Sequence, residues 1–392
     1  MNHTLLLLLL TFIESFATIC VERGIYFFSH ERLGFRDTDN LWLALAFGAA
    51  YVCGALSSHR LCRRFGERRL LLMTICGQLL LHVSLAALSV PWAVYAFSML
   101  LGFLNGAKWP VVESYISAGK APSHQARAIG RFNVSWALSV PLALVTVGPL
   151  VEHWPAGLFL VPACVNLVAL GLVWPLVRRP LHLLATSEHR PSQQQIARLE
   201  ALLTSNRWLM LASYSTLFLL APLLPRVLSD LKVSAALSPG LSGLMDVMRL
   251  MAFIILGVWT GWHGKLWPVM ASMLIMPISL FMTLFGGHLG IVLAGEVAFG
   301  LSAGLVYYAS LYYAMVVVNA SVEGGGAHEG LIGLGFALGP AAGLASVWLQ
   351  PVLHSELLGA AVGIGPLLAA CTVGACLPLW RARRLLGRKA GT

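Results

Sequence analysis

Runs of about twenty apolar residues, parted by short polar or glycine–proline breaks, recur along this chain from residue 5 to residue 380. A helix crossing a hydrocarbon core about 30 Å thick needs roughly that many apolar residues. No soluble fold could bury so many runs, because charged residues make up only 11% of the 392, against about 25% in an average soluble domain. Disorder is excluded by the 58% apolar content, since disordered segments are poor in apolar side chains. An all-α polytopic membrane protein remains.

Twelve spans are expected, near 5–28, 41–57, 70–88, 92–117, 128–151, 156–177, 207–227, 237–260, 267–285, 289–317, 327–350 and 357–380. Trp42, Trp92, Trp154, Trp174, Trp208, Trp259, Trp262, Trp267, Trp348 and Trp380 fall at their ends, as an interfacial aromatic belt requires. The net charge of +10 does not point to nucleic acid, because the basic residues cluster between spans at 60–69, 120–131, 178–207 and 381–389, with Lys265. Only Arg32, Arg36, Arg226 and Lys232 fall in the odd-numbered loops. The excess of Lys and Arg in the even-numbered loops places both termini in the cytoplasm. In a bacterial cell the location would be the plasma (inner) membrane. Met1-Asn2-His3-Thr4 lacks a positive segment and Glu14 interrupts the first apolar run, so no cleaved signal peptide is expected. The seven cysteines form no C-x-x-C pair, which leaves neither a disulfide framework nor a zinc site indicated.

The longest polar stretch, 178–206, divides the chain into an N-terminal six-helix bundle (1–177) and a C-terminal bundle with a basic tail (207–392). Within it Ser192-Gln193-Gln194-Gln195 has the S-x-x-Q capping pattern, followed by the stripe Ile196, Leu199, Leu202, Leu203. A short amphipathic helix on the inner membrane surface is expected there. The bundles share a register: Gly54 and Gly257, Ile129-Gly130 and Ile332-Gly333, and Thr4 and Arg207 all stand 203 residues apart. A six-plus-six duplication of this kind is the architecture of rocking transporters.

The loop after the second span carries Gly54, Ser58 and a late Phe65-Gly66-Glu67-Arg68-Arg69; the loop after the eighth carries Gly257, Gly261, Trp262, Gly264 and Lys265. Both resemble the G-x-x-x-D-[RK]-x-G-[RK] loop of the major facilitator superfamily, each without the Asp. The stretch 121–130 resembles that family's approach to its fifth helix, and Glu22-Arg23-Gly24-Ile25-Tyr26-Phe27 resembles the end of the motif of proton-coupled oligopeptide transporters. Gly326, Gly335, Gly339-Pro340 and Gly343 are similar to the glycine–proline motif of antiporters but belong to the eleventh span, where they are read as close helix packing and a bend. The resemblance implies a cavity lined by helices 1, 4, 7 and 10, and a gating role for Arg68, Arg69, Glu113 and Lys265.

Ionisable residues inside a bilayer cost several kcal/mol and mark function. Spans 1, 4, 8 and 10 hold Glu14, Glu22, Arg23, Lys108, Glu113, Asp246, Arg249 and Glu296, whereas spans 3, 6, 9 and 12 hold no Asp, Glu, Lys or Arg, only His82, Gln78 and Asn166 among the polar groups noted. Glu113 is expected to pair with loop arginines. Asn105, Lys108, Tyr214, Arg249, Glu296 and Tyr307 are candidates for solute binding; Glu14, Glu22, Asp246 and Glu296 are candidates for proton coupling. Asp246 and Arg249, three apart, can form an ion pair. No nucleotide-binding loop, metal-ligand spacing or catalytic triad appears, so an enzyme is not expected and no cofactor or metal is called for. The expected function is secondary transport of a small polar or charged organic solute by alternating access, with protons as the coupling ion and a monomer as the working unit. The alternative is a transporter-like receptor or assembly factor that does not cycle.

Overall fold

A computed structural model describes residues 3–117, 122–180, 193–318 and 322–389. Fourteen helices account for most of them: α1 (His3–Glu22), α2 (Gly24–Leu33), α3 (Asp37–Phe65), α4 (Glu67–Ala87), α5 (Pro91–Ser117), α6 (Pro122–His153) and α7 (Gly157–Val173) in the first half, then α8 (Gln193–Asp230), α9 (Ser238–Ser242), α10 (Leu244–Val258), α11 (Trp267–Phe285), α12 (Leu289–Val318), α13 (Val322–Leu353) and α14 (Glu356–Lys389). Among the described residues, ten segments are long and apolar enough to cross a membrane, α1 and α2 together forming one and α9 and α10 another. Helix α7 is apolar but only 17 residues long.

Breaks fall where the backbone chemistry demands them. Gly34 ends α2 at φ 66°, in the left-handed region, with its N–H on Ser29 O. Gly66, at φ 81°, turns the chain from α3 into α4. No Gly or Pro occurs between Gln193 and Pro222, and α8 runs 38 residues, continuing past Pro222 and Pro225. The stripe Ile196, Leu199, Leu202, Leu203 is thus the first part of this helix rather than a separate short one; its proposed cap, Ser192, lies outside the described residues.

The halves meet most extensively through α3 with α13 and through α6 with α10, with smaller contacts of α6 with α9 and of α3 with α8. The first two pairs exchange under the 203-residue register expected from the sequence. Helix pairs α3–α5 and α10–α12 repeat the same device, a small-x-x-x-small pair that admits a neighbouring backbone. Gly102 and Gly106 of α5 sit against the carbonyls of Phe47 and Tyr51, and Gly300 and Gly304 of α12 against Met245 and Arg249. The stripe on α13 works likewise: Gly339 abuts the carbonyl of Ser215 on α8 and Gly335 abuts Tyr214, the close packing expected of it.

Nine of the ten end-of-span tryptophans are exposed, from Trp208 at 39% to Trp174 at 74%. Trp262 departs from the belt. It is fully buried, donates Nε1–H to Leu256 O at 3.2 Å and is ringed by Tyr308, Tyr312 and Tyr313. An aromatic at the end of a run can equally plug the turn between two helices, and here the turn into Gly264 (φ 66°) folds the ring inward.

Candidate functional site

Three buried polar clusters lie along the molecule. The first is enclosed in the N-terminal half. Lys108 on α5 points its ammonium at Glu14 Oε2 on α1 (2.7 Å), at Thr18 Oγ1 (3.1 Å) and at Gln78 Oε1 on α4 (3.0 Å). An ammonium has three N–H donors, so all are matched. Glu14 Oε1 accepts from Asn166 Nδ2 on α7 at 3.0 Å, and Gln78 Nε2 donates to Asn105 Oδ1 at 2.5 Å. Asn166 Oδ1 lies 2.9 Å from His82 Nδ1; an amide oxygen only accepts, so His82 carries its hydrogen there. Both charged side chains of the pair are 0% exposed. Thr18, Gln78, His82 and Asn166 complete a network that helix-by-helix reasoning did not assemble. The signal available was the i, i+4 spacing of Gln78 and His82, which puts both on one face of α4. Glu22 lies nearby, lining a small enclosed cavity with Thr18, Gln78, His82, Asn105 and Ser98.

The second cluster joins the halves. Arg249 Nη2 donates to Asp246 Oδ1 at 2.6 Å, the ion pair that the spacing on α10 allowed, and Arg23 Nη1 reaches Asp246 Oδ2 at 3.4 Å from the junction of α1 and α2. One carboxylate thus serves two guanidiniums. Arg23 Nε and Nη2 and Arg249 Nε are buried without a hydrogen-bond partner among the described residues. The Arg249 guanidinium stands 4.8 Å from the ring centre of Trp136 on α6, within cation–π range. Trp136 in turn meets Tyr307 at 5.5 Å and Phe253 at 5.8 Å, and Tyr307 meets Tyr214 at 6.3 Å. Glu296 on α12 is fully buried, and among the described residues no side-chain donor reaches either carboxylate oxygen, the Met245 backbone lying beside it.

The third cluster lies toward the end that carries the basic loops, here termed the basic end. Tyr51 on α3 donates its hydroxyl to Glu329 Oε2 on α13 at 2.9 Å, and the carboxyl of Glu113 on α5 adjoins that of Glu329. Lys120 and Arg127, loop cations with which Glu113 was expected to pair, lie outside the described side chains, and Arg131 is exposed. Of the other gating candidates, Arg68 Nη1 is bonded to Leu176 O (3.1 Å) and Trp174 O (3.4 Å) within its own half. Arg69 and Lys265 are exposed. Ser58, which stands where the family loop has Asp, donates to Ala107 O at 2.9 Å.

Helices apolar enough to cross a membrane, with buried charges where the two halves meet, are the features of a multi-pass membrane protein. The chain belongs to the Major Facilitator Superfamily, whose profile matches residues 7–344. It is therefore an integral membrane protein of a transporter family, not of an enzyme family. Among solved structures, it resembles a bacterial homologue of the human lysosomal transporter Spinster in an inward-facing, occupied state, with a TM-score of 0.63 and 13% identity over 97% of this chain and 96% of that one. It resembles the unoccupied inward-facing form similarly (0.63, 13%, 97% and 94%), and the nucleoside transporter NupG with a TM-score of 0.62 and 12% identity over 98% and 99%. At these identities the likeness concerns the fold. A comparison with curated protein sequences gives no match.

Proposed function

We propose that this protein moves a small organic solute bearing an anionic group by alternating access, coupled to protons, as a monomer with twelve spans and both termini in the cytoplasm, in the plasma (inner) membrane if the cell is bacterial. The junction cluster carries the reading. Partnerless guanidinium nitrogens on Arg23 and Arg249 are strong donors with geometry suited to a carboxylate or phosphate, and burial without partners is costly unless something completes them. Trp136, Tyr307, Tyr214 and Phe253 frame the same place with flat apolar surface, as small-molecule sites commonly do. Glu296, within the field of Arg23 and Asp246, is the favoured proton carrier, with Glu22 second.

Lys108 and Glu14 serve a different end. With every donor of Lys108 already matched inside one half, their pair is read as the keystone of the N-terminal bundle rather than as part of the solute site. The test is thermal stabilisation of the purified protein by a panel of organic anions, followed by counterflow in liposomes with the best stabiliser. Saturable counterflow that falls at least tenfold in Arg249→Gln is expected. Solute-specific stabilisation without counterflow would favour the non-cycling receptor.

A further inference from the structure

Inside the first span the helix is interrupted: α1 stops at Glu22 and α2 starts at Gly24. A cavity of about 10 Å³ lies against this break, and Thr18 and Glu22 of α1, Tyr26 of α2, Gln78 of α4 and Ser98 of α5 are among the residues that line it. That volume admits one particle the size of a water molecule. Two of the lining side chains are uncommitted. Ser98 is 3% exposed, and its hydroxyl has no partner among the described residues. Glu22 is 8% exposed, and among the described residues neither a hydrogen bond nor an ion pair reaches its carboxylate.

The charges nearby leave one negative charge over. In and beside the first two clusters the buried acids are Glu14, Glu22, Asp246 and Glu296, and the buried bases are Arg23, Lys108 and Arg249. Lys108 is bound to Glu14 at 2.7 Å, and Asp246 holds Arg23 at 3.4 Å and Arg249 at 2.6 Å. Glu22 is the acid on the cavity wall, and no bonded cation balances it. An anion in the cavity would be repelled by it. A divalent ion is poorly served by a single carboxylate, and among the described residues no group of three His, Cys, Asp or Glu could hold a metal ion. Thr18 Oγ1 and Gln78 Oε1 each accept one hydrogen from Lys108; with two lone pairs apiece, each keeps one. The wall therefore offers one carboxylate, two hydroxyls and an amide oxygen, a hard-oxygen set of the kind that hard cations take.

We propose that the cavity at the α1–α2 break binds a sodium ion, with Glu22 supplying the charge and Ser98, Thr18 and Gln78 the neutral oxygens. The carbonyl end of a helix carries partial negative charge, and interrupted membrane helices supply cation sites in this way; here α1 ends at the cavity. Potassium, the larger ion, fits a one-particle space less well. The site goes beyond the transport reading and does not depend on it, since all its ligands belong to one half and no solute takes part. Bound sodium would tie the Lys108 network, through Thr18 and Gln78, to the residue next to Arg23 of the junction cluster.

The test uses the purified protein and salts alone. Melting midpoints are followed while sodium chloride, potassium chloride or choline chloride is exchanged at constant ionic strength, and equilibrium dialysis with radiolabelled sodium counts the bound ions. A saturable rise with sodium is expected, with little rise in potassium, none in choline, and a single ion per chain. Glu22→Gln, which keeps the shape and removes the charge, should abolish both signals. Ser98→Ala should weaken sodium binding about tenfold, because ligand number sets cation affinity. Equal midpoints in the three salts overturn the site, as they would if Glu22 took only a proton. Sodium binding retained in Glu22→Gln overturns it as well. Should that variant fail to fold, Ser98→Ala decides, and an unchanged sodium affinity there counts against the site. No solute is present, so a protein that fails to show counterflow still gives a readable sodium titration, and a flat titration leaves the transport reading standing.

Discussion

The Lys108 network and the Arg23–Asp246–Arg249 cluster use the same kinds of side chain, buried to a similar degree, and are completed to different extents. In the first, one cation and one anion are joined by amides and a hydroxyl from four helices of a single half, with each ammonium hydrogen matched. In the second, a single carboxylate is divided between two arginines from opposite halves, guanidinium nitrogens are left over, and Glu296 stands by without a side-chain donor. A satisfied network rigidifies the bundle that holds it, whereas an unfinished one is expensive and persists when a ligand or a second conformation completes it. The difference separates what holds a half together from what the halves do to each other.

The largest effect expected from this contrast is on Lys108. Lys108→Met leaves Glu14 buried without its cation and should cost about 3–5 kcal/mol, read as a collapse of folded yield in detergent. The double variant Lys108→Met with Glu14→Leu should recover most of that loss. A single variant as stable as wild type would show that the pair is not a keystone.

Arg249→Gln should leave the folded yield largely intact and weaken anion binding by about 2 kcal/mol or more, some thirtyfold in Kd, as measured by calorimetry with the stabilising solute. Equal affinities would remove Arg249 from the site. Glu296→Gln preserves shape and should change stability by less than about 1 kcal/mol, since no side-chain donor is lost. It should keep counterflow and lose proton-driven accumulation in liposomes; accumulation that survives would pass the proton to Glu22. At the small end, Arg69→Gln and Lys265→Gln alter exposed side chains and should shift the melting midpoint by no more than about 0.5 kcal/mol permits, with unchanged counterflow. A large loss of counterflow in either would restore the gating role that the family resemblance implies.

The fold was legible because membrane insertion imposes a rule on every span separately: apolar runs, aromatic ends and basic loops each report position without knowledge of neighbours. The site was legible only where partners share a helix. Asp246 and Arg249 are three residues apart, and their pairing followed from the spacing. Arg23 reaching Asp246, and Glu113 reaching Glu329, join residues more than two hundred positions apart, and helix rotation about its own axis cannot be read from one chain. Trp262 shows the same limit in reverse. Its place at the end of a run matched the belt, but whether an aromatic faces lipid or plugs a turn depends on what packs behind it. Gln78 and Asn166 were noted for being uncharged in otherwise apolar helices; their use became apparent once Lys108 and Glu14 stood between them.

The unbroken helix α8 has a mechanical consequence. At 1.5 Å per residue its 38 residues form a strut about 57 Å long, nearly twice the hydrocarbon thickness, and its first turns extend beyond the bilayer on the side of the linker. Arg198 on that extension donates to Gly264 O at 2.8 Å, fastening it to the loop between α10 and α11. With Arg198 tying the extension to that loop, the tip of α8 and the turn between α10 and α11 move together, and a tilt of α8 carries its tip through a wider arc than its middle.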